Sequence, residues 1–163
     1  MDEPLNAGRR ETEAERLDRN WNELLQELRV AQTGVQLLAG FLLTLPFQQR
    51  FTSLDDLGRT AYLVAFSFAI VSTSLLIAPV SAHRLVFRER RKAELVRFAN
   101  RCAMAGLSAL GVTMVAVAFL IFDFVVGRTE AVTAGLLALA LFVGLWFLVP
   151  TLGIGRGGND DDE

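Results

Sequence analysis

The chain has 163 residues, of which 52% are apolar, and a formal net charge of −2. Its charges sit in the tails and loops, with four long apolar runs between them, which excludes a water-soluble core and implies one all-α domain built in a membrane. One cysteine, Cys102, and one histidine, His83, exclude an internal disulfide and a multi-ligand metal centre, and no cofactor is expected.

Residues 1–15 are polar, with Pro4, Gly8 and mixed charges, the composition of a disordered tail. Over residues 16–27, Leu17, Trp21, Leu24 and Leu25 recur at helical spacing between Asp18, Glu23 and Glu27, which predicts an amphipathic interfacial helix. Trp21 suits the headgroup zone, where its ring is apolar and its N–H finds a partner. This helix runs without a break into a first span, residues 28–47, of about the 20 apolar residues that a bilayer requires. Pro46 disfavours further helix and marks the exit. Met1 to Glu27 lacks the apolar region of a cleavable signal, and the acidic residues after Arg9-Arg10 do not suit a twin-arginine leader. The first span is therefore expected to stay as an anchor.

Projected at about 100° per residue, Arg29, Gln32, Thr33, Gln36, Gly40 and Thr44 share a sector of roughly 120°. An unsatisfied amide in hydrocarbon costs several kcal/mol, so this stripe is expected to face other helices or a wet cavity. Hydrogen-bond glue between helices, about 0.6–2 kcal/mol each, is its commoner use. A path for an ion or polar solute is the alternative.

Gln48 to Arg59 reads as a short polar loop, with Ser53 as the N-cap of the next helix. Span two, residues 60–80, is expected to end at Pro79, and Ala61, Ala65, Ala69 and Thr73 give it a ridge of small residues for close helix approach. Residues 81–101 form the most basic stretch and read as two helix extensions with a charged turn near the membrane surface. Its candidate lipid or partner surface is His83, Arg84, Arg88, Arg90, Arg91 and Lys92. Such a cluster attracts anionic headgroups, about 1 kcal/mol per basic residue near the surface. No stacking platform accompanies the cations, so nucleic acid is not expected as a partner.

Span three, residues 102–126, carries a ridge at Ala105, Ala109 and Thr113 and one acid, Asp123, inside its apolar end. An intramembrane carboxylate is a candidate for proton or cation binding, and pairing with Arg128 is the plainer alternative. A tight turn at Gly127 leads into span four, residues 131–150, with the small pairs Ala131–Gly135 and Ala140–Gly144 and Trp146 as an interface anchor. Residues 151–163 are glycine-rich, then acidic, and are expected to be disordered.

Four spans place both tails and the central loop on one side. That side holds every Lys and Arg except Arg50, Arg59 and Arg128, so the positive-inside rule expects cytoplasmic termini in a multi-pass protein of the inner membrane. No phosphate loop, HExxH, CxxC or GxSxG string is present, and no nucleophile–base constellation marks an enzyme. A structural or interaction protein of the membrane is the leading expectation. A small homo-oligomeric proton- or cation-coupled transporter, using Arg29, Gln32, Thr33, Gln36, Thr44 and Asp123, is the rival.

The strings NWNELLQELRVAQTGVQ (residues 20–36), FLLTLPFQQRF (41–51) and LLIAPVSAHRLVFRERRK (75–92) resemble a family of small actinobacterial membrane proteins of unknown function. The resemblance spans about residues 20–101 and continues loosely through spans three and four. It implies a four-span membrane fold and assigns no role to any residue. Some members carry the label sodium:proton antiporter, whereas known antiporter folds have many more spans and acids near mid-membrane.

Overall fold

The computed structural model describes residues 13–86 and 92–148. Four long helices make up most of the described residues: α1 (Glu13–Thr44), α2 (Asp56–Val86), α3 (Lys92–Val125) and α4 (Arg128–Val143). Each carries a stretch long and apolar enough to cross a membrane: Arg19–Phe47, Asp56–Ala82, Glu94–Val125 and Arg128–Trp146. Of the expected tails, residues 1–12 and 151–163 lie outside the described residues, as do residues 149–150 and residues 87–91 of the basic loop, while residues 13–15, expected in the first tail, open α1.

The amphipathic segment and the first span form one unbroken helix. Trp21, Leu28, Val35 and Leu42 recur every seven residues along α1, and all four are buried. A seven-residue repeat keeps one seam of a helix facing its neighbours. α1 packs by that seam on α2 and, over a smaller area, on α3. It ends where Pro46 forces two short 3-10 turns, Leu45–Phe47 and Gln49–Ser53. Tyr62 of α2 donates from its hydroxyl to the Leu42 carbonyl at 3.2 Å, which ties the C-terminal end of α1 to α2.

α2 and α3 form the most extensive contact, and small residues set how close they come. Ala65 and Ala69 are fully buried, and Ser72 donates across to the Gly106 carbonyl at 2.8 Å. A Cβ on Gly106 would stand 2.9 Å from Leu76 Cγ, so this approach needs a residue without a side chain. The ridge of α3 therefore runs through Gly106, Ala109 and Thr113. Ala109 and Thr113 lie in it as expected, whereas Ala105 is exposed and Gly106, three residues before Ala109 and not four, takes its place.

α4 packs on α3 alone among the described residues. Ala131 and Gly135 lie in that contact, with Phe119 Cβ 3.7 Å from the place of a Gly135 Cβ. The second expected pair fails: Ala140 is exposed and nothing approaches Gly144. Trp146 meets Phe142 edge-on at 4.9 Å and closes against Gly111 of α3, so it is a packing residue.

One expectation is met and another corrected. α2 carries Pro79 buried inside it and extends past the span to Val86, the first of the two expected helix extensions. Proline removes one backbone donor and loosens its turn, and membrane helices tolerate this when a neighbour satisfies the freed groups. The Leu75 carbonyl loses its helical donor to Pro79, and next to it Gln32 of α1 donates from Nε2 to the Leu76 carbonyl at 2.7 Å. The N-cap of α2 is Asp55, not Ser53. Asp55 Oδ1 accepts from the Gly58 N–H at 2.8 Å, while the Ser53 hydroxyl turns back to the Arg50 carbonyl.

Candidate functional site

The polar stripe of α1 divides in two. Gln32 lies nearest the buried seam and is spent on α2, as above. Arg29, Thr33, Gln36, Gly40 and Thr44 lie farther round the helix and are exposed. α2 and α3 do not cover them, and α4 does not touch α1. The stripe was expected to face other helices or a wet cavity. Within the single chain it faces outward instead, because the heptad seam fixes the rotation of α1.

The exposed members differ in what they leave unsatisfied. The Thr33 hydroxyl donates to the Arg29 carbonyl at 3.0 Å, and the Thr44 hydroxyl to the Phe41 carbonyl at 2.7 Å. Arg29 stands at the start of the apolar run, where a long side chain reaches water by extending along the helix. Gln36 has none of these exits. It lies about 12 Å of helix rise from Leu28 and from Thr44 alike, near mid-span. Its amide has no hydrogen-bond partner among the described residues. Nothing lies within 4 Å of a Cβ built on Gly40, one turn along, so the surface there is open to a close neighbour.

Asp123 is not part of this stripe. The turn at Gly127, whose φ of 149° suits only glycine, reverses the chain between α3 and α4. Arg128 is thereby folded back so that its Nε lies 3.1 Å from Asp123 Oδ1. Its Nη2 meets Asp55 Oδ2 at the start of α2, and its guanidinium lies 5.7 Å over the Phe119 ring. Asp123, with a side chain only 10% exposed, sits near the C-terminus of a helix, and Arg128 at the N-terminus of one. Both placements oppose the helix dipole. Each charge offsets the other, and Arg128 joins its own helix to α3 and to the start of α2 at this end of the domain. The Gly58 N–H holds the Asp55 carboxyl below its ordinary range; its partial burial opposes this, and the charges of Arg128 and Arg59 add to it.

Sequence reading singled out Asp123 and gave Asp55 no part, since the partner that makes it matter lies 73 residues away. Its capping position, three residues before Gly58, was the one local signal. Of the basic cluster, α2 carries His83 and Arg84 in its last turns and Lys92 opens α3. Arg88, Arg90 and Arg91 lie outside the described residues. Among the described residues no group of three His, Cys, Asp or Glu side chains could hold a metal ion.

Residues 10–150 match a protein family described as being of unknown function (DUF6328). No curated protein and no solved structure matches the chain.

Proposed function

From the premise that the chain belongs to the DUF6328 family of unknown function, we propose that it is a non-enzymatic interaction protein of the inner membrane, whose first helix offers a polar face to another transmembrane helix. Both termini lie in the cytoplasm in this reading. The basic segment around His83, Arg84, Arg88, Arg90, Arg91 and Lys92 then meets anionic headgroups there.

One observation carries the reading: Gln36 lies near the middle of a span, faces away from the chain's own helices and has no partner within the described residues. An amide held so in hydrocarbon is destabilising until a neighbour supplies its hydrogen bonds. The transporter reading needs the stripe and Asp123 on one polar path. The stripe faces outward and Asp123 pairs with Arg128, which supports the interaction reading over it.

The test is the size of the assembly in bilayer nanodiscs. Wild type is expected to run larger than one chain, and Gln36→Leu to fall toward a single chain. Single-chain wild type, together with no protein crosslinked to this face in native membranes, would overturn the reading. So would proton or sodium flux in proteoliposomes that Gln36→Leu and Asp123→Asn both abolish.

A further inference from the structure

We propose that the partner on the outer face of α1 is a second copy of this chain, paired through Thr33, Gln36, Gly40 and Thr44 with Gln36 beside the two-fold axis. This rests on the interaction reading above and names its partner.

The chemistry of the face is complementary to itself. Copies inserted with one orientation can bring their α1 faces together about a two-fold axis along the membrane normal. Residues beside such an axis meet their own counterparts. A carboxylate or an ammonium there would repel its copy. An amide does not, because it carries both donors and an acceptor, so two Gln36 side chains can satisfy each other. Between Val30 and Phe47 the helix has no ionisable residue. The one cation of the stripe, Arg29, lies at the membrane edge, where two guanidinium groups can part into the headgroup layer.

The shape of the face agrees with its chemistry. Gly40 and Thr44 are a small-xxx-small pair, the arrangement that lets two membrane helices approach closely. The space over Gly40 is empty. Thr33 and Thr44 already bond to their own helix, so close packing leaves no hydroxyl unsatisfied. α4 packs on α3 and not on α1, so it does not block this face.

Photocrosslinking in native membranes tests the proposal, with a photoreactive residue placed at position 40 and, as control, at position 136 on α4. The expected result is an adduct of twice the chain mass from position 40 and none from position 136. In a Cys102→Ala background, Gly40→Cys and Thr44→Cys are expected to give disulfide-linked dimers under oxidation, and Leu136→Cys none. In purified protein, Gln36→Leu should weaken self-association by about 3- to 30-fold, the range of one interhelical hydrogen bond. Gln36→Asn, which keeps an amide, should restore part of it. An adduct from position 40 with a different protein would overturn the second copy and keep the interaction reading. Adducts with lipid alone would overturn both.

Discussion

The outer faces of α1 and α4 are alike in exposure and opposite in chemistry. In each helix only 11% of the spanning stretch is buried. The face of α4 is Leu136, Leu137, Leu141 and Leu145, all exposed. Lipid tails are as apolar as leucine, so this face is at home against the bilayer. The face of α1 carries Gln36, Gly40 and two threonines at the same depth. In water an exposed amide signifies nothing, and an exposed leucine row would mark an interface. In hydrocarbon the reading inverts: polarity, not exposure, marks the face that requires a partner.

Mutations can break this contrast in graded ways. Arg128→Met should have the largest effect, about 2–3 kcal/mol in thermal unfolding, because it strands the poorly exposed Asp123 carboxylate and loosens the attachment of α4. Asp123→Asn should cost less, since an amide still bonds the guanidinium. Next in size is a transplant of the polar group. Leu137→Gln puts an unsatisfied amide at mid-span of α4, an expected cost of about 1–3 kcal/mol to the isolated chain. Combined with Gln36→Leu, it should move self-association from α1 to α4, read by crosslinking from position 136 in place of position 40.

Gln32→Leu sharpens the division of the stripe. It removes the bond to the Leu76 carbonyl beside Pro79 and should lower stability by about 0.6–2 kcal/mol while leaving self-association intact. Gln36→Leu should do the reverse. The smallest effect concerns acid. The carboxyl of Asp55 titrates below its unfolded value, so its contribution is complete above the ordinary carboxylate range and is lost as pH falls through the folded value. Asp55→Asn should therefore lower stability most at neutral pH, and its unfolding curve should converge on that of wild type as pH falls below about 4.

The four spans were legible because each is written locally, as a run of apolar residues bounded by charge or proline. The stripe of α1 was legible for the same reason, from helical periodicity alone. Its direction was not, because periodicity shows which residues share a face and leaves open which face the neighbours take. The heptad Trp21, Leu28, Val35 and Leu42 held that information, obscured in a span where nearly every position is apolar. Pro79 marked the end of the apolar run and not of the helix, which goes on to Val86 as the pattern of the basic stretch implied. Asp55 and Gly106 matter through residues far off in the chain, Arg128 and Leu76, which no local pattern announces.

The most direct test is to count subunits in a bilayer. Protein labelled at one site and reconstituted at high dilution should bleach in two steps as wild type and mostly in one step as Gln36→Leu. Wild type that bleaches in a single step, while folded and inserted, would contradict the claim that the polar face of α1 pairs two copies of this chain.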